Sequence, residues 1–86
     1  MTGIRLSGMR ENQELVARAP VKNAPGMSLL LVEECHTGEG RNRFSFATVV
    51  YDGSKVFSRV VVGDTPPTVL DVAYAAYFKR LDDLSK

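Results

Sequence analysis

The sequence predicts a small α+β domain: a three-stranded antiparallel meander packed by a C-terminal helix and preceded by a short N-terminal helix (α-β-β-β-α). Two observations predict this fold. Residues 43–62, RFSFATVVYDGSKVFSRVVV, form two β-rich runs joined at Asp52-Gly53, a strong hairpin signal. Residues 68–84 carry an apolar stripe at helical spacing. Since 86 residues make one small domain, we expect residues 1–86 to form a single unit.

The N-terminal part has weaker patterns. Residues 1–8, MTGIRLSG, predict a loose tail or a short edge strand. Residues 9–19, MRENQELVARA, are mostly good helix formers, with Ser7 as an N-cap and Pro20 as a stop, which favours a short helix. The apolar stripe of this segment is thin, so a strand stays open as the alternative.

Three strands are predicted in the middle of the chain. The first covers residues 27–36, MSLLLVEECH, and the other two cover residues 43–51 and 54–62. Residues 37–42, TGEGRN, and 63–67, GDTPP, are predicted loops because they are rich in Gly, Pro and polar residues. Short connections between consecutive strands indicate an antiparallel arrangement.

The C-terminal helix has the clearest pattern. Two prolines precede it, and Thr68 with Asp71 resembles a capping box. Its apolar stripe consists of Leu70, Tyr74, Tyr77, Leu81 and Leu84. The small side chains of Ala73 and Ala76 beside this stripe predict a close approach to the sheet, with the tyrosine hydroxyls at the wet edge.

Turn chemistry decides which face of the hairpin is buried. A three-residue loop with Gly53 in the left-handed position pairs Val50 with Ser54, and a two-residue loop shifts the pairing by one residue. The three-residue loop yields a face without charge: Phe44, Phe46, Thr48, Val50, Val56, Ser58, Val60 and Val62. The two-residue loop mixes Lys55 and Arg59 into the most aromatic face. We therefore predict the three-residue loop, with the C-terminal helix on the charge-free face.

The opposite face of the hairpin is the predicted binding surface, because it combines aromatic side chains with cations. The predicted protein-binding residues on this face are Arg43, Tyr51, Lys55, Phe57 and Arg59. Phe78 lies away from the main helical stripe and is predicted to contact a partner or a second copy of the chain, which makes a homodimer one of the expected assemblies.

The favoured function is a small non-catalytic protein-interaction module of the adaptor or inhibitor type. The alternative is a nucleic-acid-binding domain that uses loop 37–43, with Arg41 and Arg43, and the same hairpin face. Residues 40–63 carry four cations and one acid, which favours this alternative locally. The formal net charge of +1, however, indicates no general attraction to nucleic acids, membranes or acidic substrates.

No pattern for catalysis, a metal or a cofactor is found in the sequence, so we predict a non-enzyme without either. Glu33, Glu34, Cys35 and His36 are the one cluster of suitable residues. Neighbouring residues of a strand point to opposite faces, and the chain has no second Cys or His to complete a zinc site. Cys35 is expected to be a small buried apolar side chain.

The composition predicts a folded cytoplasmic protein. With 44% hydrophobic and 24% charged residues it is typical of globular domains. The single cysteine, the missing apolar leader and the lack of a run of about 18 apolar residues favour the cytoplasm over secretion or a membrane. A chain encoded by a phage or a plasmid has the same features.

Two stretches resemble the double-stranded RNA-binding domain. Residues 29–59, LLLVEECHTGEGRNRFSFATVVYDGSKVFSR, are similar to the three-strand part of that family, and residues 73–81, AYAAYFKRL, resemble its Ala-rich second helix. The resemblance covers about residues 10–84 and implies the α-β-β-β-α fold.

The residues with which that family binds RNA are mostly absent. Its second helix opens with a lysine-rich cluster for phosphates, whereas residues 64–71, DTPPTVLD, carry two carboxylates and no cation. Its Gly-Pro-x-His loop element is replaced by Gly38-Glu39-Gly40-Arg41. The resemblance therefore implies the fold but not the usual binding of duplex RNA.

Overall fold

The computed structural model describes residues 5–38, 40–64 and 69–86. Four strands and one helix follow each other along the chain: β1 (Gln13–Pro20), β2 (Ser28–Gly38), β3 (Arg41–Tyr51), β4 (Val56–Asp64) and α1 (Val69–Leu84). The strands form one antiparallel sheet in the order β1-β2-β3-β4, and α1 packs on one face of it. The protein is therefore a small α+β domain of β-β-β-β-α order.

The predicted α-β-β-β-α fold with three strands is wrong at its N-terminal end. Residues 13–20 form strand β1 and pair with β2, where a short helix was predicted. A strand lets this segment bury side chains on both faces of the sheet, with Leu15 packing on one face and Ala17 and Ala19 on the other. This burial outweighs the helix propensity of the segment. The element order implied by the RNA-binding resemblance is not that of this chain.

The sheet buries apolar side chains on both of its faces. The face under α1, here called the helix face, holds a cluster of Val21, Leu29, Leu31, Phe46, Val50, Ala73 and Tyr77. The opposite face, here called the N-terminal face, holds Met9, Leu30, Val32, Ala47, Val49 and Tyr51. Residues 29–32 of β2 are fully buried because they contribute to both clusters, which explains their continuous apolar run.

Residues 5–12, here called the N-terminal segment, cover part of the N-terminal face. Met9 is buried, and Leu6 packs partly against the same cluster. A turn joins the two, with the N–H of Met9 donating to the carbonyl of Leu6 (3.1 Å). Within the predicted tail, residues 5–8 belong to this segment, and residues 1–4 lie outside the described residues.

Gly8 allows the N-terminal segment to lie against the hairpin loop. Its φ is +89°, and a Cβ at this position would lie 1.8 Å from the backbone oxygen of Ser54. We expect Gly8→Ala to detach residues 5–12 and to lower the free energy of unfolding by about 2 kcal/mol or more, because both the conformation and the space exclude a side chain. Urea unfolding and limited proteolysis of the segment measure these effects.

Gly26 provides the matched control for this substitution. Its φ is +85°, but a Cβ there would meet nothing within 4 Å. Gly26→Ala is therefore expected to cost only the conformational part, about 1 kcal/mol. Equal losses for the two variants would show that the close contact of Gly8 with the hairpin loop is unimportant.

α1 lies where the sequence predicted it. Ala73 and Tyr77 are buried against the sheet, as the small-residue pattern indicated. The hydroxyl of Tyr77 does not reach the wet edge but donates to the carbonyl of Leu29 (3.0 Å) in the core, and burial raises the pKa of Tyr77. The predicted cap at Thr68 lies outside the described residues.

The β3–β4 hairpin has a different loop from the one predicted. Tyr51 pairs with Val56, so four residues form the loop where three were predicted. The Oδ1 atom of Asp52 fixes this loop by accepting hydrogen bonds from the backbone N–H groups of Ser54 and Lys55, each at 2.9 Å. These bonds hold the pKa of Asp52 below its ordinary value. The competing local hydrogen bonds of an Asp side chain decided the turn.

β4 contains a bulge soon after it begins. Val50 pairs with Phe57 and Thr48 pairs with Val60, so two residues of β4 lie opposite one residue of β3. Ser58 lies in this bulge with a φ of 56°, a left-handed conformation that is uncommon for residues other than Gly. Because of the bulge, the side chains of β4 that precede it lie on the opposite face of the sheet from the one predicted by simple alternation.

The predicted faces of the hairpin are therefore right for β3 and only partly right for β4. Phe46 and Val50 lie under α1, which confirms that the helix covers this face. Phe57, predicted on the opposite face, lies on the helix face across from Val50, while Val56 packs into the cluster on the N-terminal face. Val61 pairs with Ala47 of the N-terminal-face cluster.

Candidate interaction groove

Tyr51, the leading predicted binding residue, is buried with an exposed fraction of 4%. Its hydroxyl donates to the carbonyl of Ser7 (2.7 Å), and the guanidinium of Arg18 lies 5.5 Å from the ring centroid. The prediction that this side chain is exposed is wrong because the N-terminal segment covers it. The sequence of the hairpin holds no information about that distant segment.

Arg59 forms an ion pair with a buried carboxylate. Its Nε donates to Oε2 of Glu34 (2.8 Å), and its Nη2 donates to Oε1. The side chain of Glu34 is 1% exposed, whereas that of Arg59 is 33% exposed. Gln13 donates to the same carboxylate from Nε2 (2.7 Å). Arg59 was predicted to bind a partner, and in the fold it neutralises Glu34.

The surroundings of Glu34 favour its charged form. Burial by itself raises the pKa of a carboxyl, but the hydrogen bonds from Arg59 and Gln13 and the charges of Arg59 and His36 outweigh it, so the pKa of Glu34 lies below its ordinary value. The hydrogen bond to Glu34 raises the pKa of Arg59. The Oε1 atom of Gln13 accepts the N–H of Arg10 (3.1 Å), which links this network to the N-terminal segment.

His36 and Ser45 lie beside this network, but they do not have the geometry of a hydrolytic triad. Nε2 of His36 lies 2.9 Å from Oγ of Ser45 and 3.9 Å from Oε1 of Glu34. In a Ser-His-acid triad the acid contacts the other ring nitrogen. Ser45 is 2% exposed, so its hydroxyl is closed to a substrate. The arrangement is that of a hydrogen-bonded cluster beside a buried charge.

The predicted strand geometry of the sequence Glu33-Glu34-Cys35-His36 is confirmed. Glu34 faces the network on the N-terminal face, while Cys35 pairs with Phe44 and is half-buried on the helix face. Among the residues that the structure describes, no group of three or more His, Cys, Asp or Glu side chains is placed to hold a metal ion.

The other predicted site residues whose side chains the structure describes lie in three different elements. Phe57 is 39% exposed near the start of β4, and Lys55 is exposed in the hairpin loop. Phe78 is 59% exposed on α1 and stacks on Tyr74, with 6.2 Å between ring centroids. Arg41 and Arg43 lie in β3, and their side chains are outside the described part of the structure.

A groove lies between β4 and α1 and has a volume of about 410 Å³. It is lined by Thr48, Val60, Val61, Val62, Ala76, Lys79, Arg80 and Asp83. The groove exists because one helix, about 10 Å wide, is too narrow to cover four strands that span about 14 Å between their outer axes. α1 packs on Leu29 and Leu31 of β2, and Val62 of β4 packs against the same cluster, whereas Val60 beside the groove is about half exposed.

Arg80 builds one wall of the groove and joins α1 to the sheet. Its Nη1 donates to the carbonyl (2.8 Å) and to Oγ1 (2.7 Å) of Thr48, and its Nη2 donates to the carbonyl of Ser58 (2.7 Å). The guanidinium thus provides a hydrogen-bond donor for the carbonyl of Ser58, the residue in the bulge of β4. Burial lowers the pKa of Arg80. This role of Arg80 could not be predicted from the sequence, because it depends on the bulge.

β4 is an edge strand of the sheet. In the described ranges it pairs with β3 alone, so the other side of its backbone is not bonded to a strand. Proteins usually protect such edges with charges, prolines or bulges. The bulge and Arg80 protect the part around Ser58, and a second register shift follows at Val62. Val60 and Val61 between them carry neither a charge nor a proline. Val60 is 51% exposed and Val61 is 47% exposed.

Comparisons with protein families, with curated proteins and with solved structures found no significant match for this chain. Within residues 5–38, 40–64 and 69–86, no helix combines the length and the apolar character needed to cross a bilayer.

Proposed function

We propose that the protein is a small non-catalytic protein-interaction module that docks its partner along β4 and into the groove beside α1. The observation that supports this proposal is the exposed edge at Val60 and Val61, next to the groove between β4 and α1. An edge strand accepts an extended segment of another protein as an additional strand, because its outward N–H and C=O groups pair with any extended backbone.

The groove side chains indicate what such a segment contains. Val60 and Ala76 form an apolar floor and wall that favour β-branched or other apolar side chains. Lys79 and Arg80 place positive charge on the α1 side and favour an acidic residue there. Asp83 lies at the end of this wall with Lys86 at 3.7 Å, so its charge is partly balanced. The expected ligand is an extended, apolar segment with an acidic residue.

This proposal keeps the kind of function that the sequence predicted and moves its site. The predicted surface centred on Tyr51, which the N-terminal segment covers, and on Arg59, which neutralises Glu34. The exposed apolar side chains lie instead at the edge of the sheet, at Val60 and Val61 of β4.

A selection from a random peptide library tests the docking function. We expect peptides with alternating β-branched residues to be enriched on the wild-type protein and to lose at least about tenfold in affinity for Val60→Lys, because a lysine on an edge strand opposes pairing. Phe78→Lys is the matched control, since it places the same side chain at an exposed apolar position of α1 outside the groove, and it should bind normally. Peptides that bind both variants equally well would contradict the groove, and a selection without binders would contradict the docking function.

Nucleic-acid binding through the N-terminal face is a second candidate function, and one observation favours it. This side of the protein presents exposed cations at Arg5, Arg10, Arg18 and Lys55. The carboxylate of Glu34 on the same face is buried and paired. Fluorescence anisotropy with single-stranded and duplex oligonucleotides tests this function. It requires an affinity that falls steeply between about 50 and 200 mM salt and that weakens in Arg18→Glu, and it is ruled out by a lack of binding at low salt.

A further inference from the structure

We propose that the segment docked on β4 is β4 of a second copy of the chain, paired antiparallel about a two-fold axis at Val61. This inference rests on the proposed function and names its partner. The pairing joins two four-stranded sheets into one sheet of eight strands. Because the axis is perpendicular to the sheet, both copies of α1 lie on the same side of it.

The sequence of β4 is complementary to itself in this register. Val60 of one copy faces Val62 of the other on the helix face, and Val61 faces its own counterpart on the N-terminal face. Arg59 faces Gly63, so no two like charges lie directly opposite each other. β-branched pairs of this kind are favourable across antiparallel strands.

The exposure of β4 limits which partners fit it. Val60 and Val61 point to opposite faces of the sheet, and both are about half exposed, at 51% and 47%. A docked strand must therefore supply apolar side chains on both of its faces over the same few residues. β4 itself meets this requirement, whereas a segment with one polar face leaves one of the two valines in water.

The groove walls also suit a second copy. Lys79 and Asp83 lie one turn apart on the side of α1 that lines the groove. Two copies of this wall that run antiparallel across the joint bring the lysine of each copy toward the aspartate of the other. Opposite charges then face each other on both sides of the two-fold axis.

The other edge of the sheet is unsuited to self-pairing. β1 ends at Pro20 and carries the exposed cation of Arg18. Proline and charge are devices that keep edge strands apart. β4 also has register shifts, but it exposes two adjacent apolar side chains, those of Val60 and Val61. Self-association through the sheet is therefore expected at β4.

The contact is small, so the dimer should be reversible. A second register shift, at Val62, leaves only Val60 and Val61 in regular pairing between it and the bulge. Interfaces below about 1,200 Å² of total buried area are typical of weak complexes. We expect a dimer that forms at high protein concentration and dissociates on dilution.

Sedimentation equilibrium over a wide concentration range tests the pairing. The average mass of the wild type should rise from 9.4 kDa toward twice this value. Val61→Lys and Val61→Glu should each stay monomeric, because like charges then meet at the axis, and an equimolar mixture of the two should dimerise again. This rescue also shows that both variants are folded. Phe78→Lys is the control outside the interface and should dimerise like the wild type.

Several outcomes overturn the pairing. A wild type that stays at 9.4 kDa at every concentration, a dimer that survives Val61→Lys, or a mixture that fails to dimerise each contradicts it. The peptide selection distinguishes a failure of self-pairing from a failure of the proposed docking function. If the wild type is monomeric and selected peptides still lose affinity for Val60→Lys, only self-pairing is wrong; if no peptide binds either, the docking function is wrong as well.

Discussion

Arg59→Met is expected to lower the free energy of unfolding by about 2–3 kcal/mol, a large loss for a residue at the protein surface. The substitution leaves the carboxylate of Glu34, which is 1% exposed, without its cation. Removing one partner of a buried ion pair typically costs roughly 3–5 kcal/mol, and the partial exposure of Arg59 places this case toward the lower end. Urea unfolding at neutral pH measures the loss.

The pH dependence of this variant separates a buried charge from simple loss of packing. In the wild type the pKa of Glu34 is lowered from 4.5, so the stability it contributes is present above pH 4.5 and is lost as the pH falls through the folded-state pKa. In Arg59→Met burial is no longer outweighed and the pKa of Glu34 rises. The difference in stability from the wild type should therefore shrink as the pH falls from about 7 to about 4.

Glu34→Gln combined with Arg59→Met is the control for this prediction. Without a buried charge, the double variant should recover most of the stability that Arg59→Met loses at neutral pH. A loss that is the same at every pH, or one that the second substitution does not relieve, would show that the charge of Glu34 is not the cause.

Tyr51→Ala is expected to lower the free energy of unfolding by about 3–4 kcal/mol, because it removes a large aromatic side chain from the cluster under the N-terminal segment. Phe57→Ala should cost about 1 kcal/mol or less, since Phe57 is 39% exposed. Thermal and urea unfolding of the two variants give the comparison. The sequence placed both residues on one exposed surface, and the structure predicts different effects for them.

Tyr51→Phe is the conservative control. It keeps the ring and loses the hydrogen bond to the carbonyl of Ser7, so a loss of about 1 kcal/mol is expected. A Tyr51→Ala variant with nearly wild-type stability would contradict the burial of this ring and would return Tyr51 to the candidate binding residues.

The elements that the sequence predicted correctly have patterns of their own. The helical spacing from Leu70 to Leu84 identified α1, and the β-rich runs identified the regions of β2, β3 and β4. β1 was predicted as a short helix because residues 9–19 are good helix formers. In the fold, the burial of its side chains on both faces of the sheet outweighs this helix propensity. The pairing of β1 with β2 decides its structure, and the pattern of residues 9–19 alone does not show this pairing.

The candidate site was harder to predict because it depends on long-range packing. The alternation of β3 gave the correct face for Tyr51, but its burial depends on residues more than forty positions away in the chain, such as Ser7. Arg59 was assigned to the correct face without its partner Glu34, which lies two strands away. The valines at 60–62 were predicted only as residues of a strand. The exposure of Val60 and Val61 depends on where α1 packs on the sheet, which the sequence of β4 does not show.

A ¹⁵N NMR titration with a selected peptide tests the docking role of the β4–α1 groove most directly. We predict that chemical-shift changes concentrate at Val60–Val62, Ala76 and Lys79, and that amide exchange slows along β4 as its outward N–H groups become paired. Shift changes confined to the N-terminal face around Arg18, or to the surface around Phe78, would contradict the groove as the docking site.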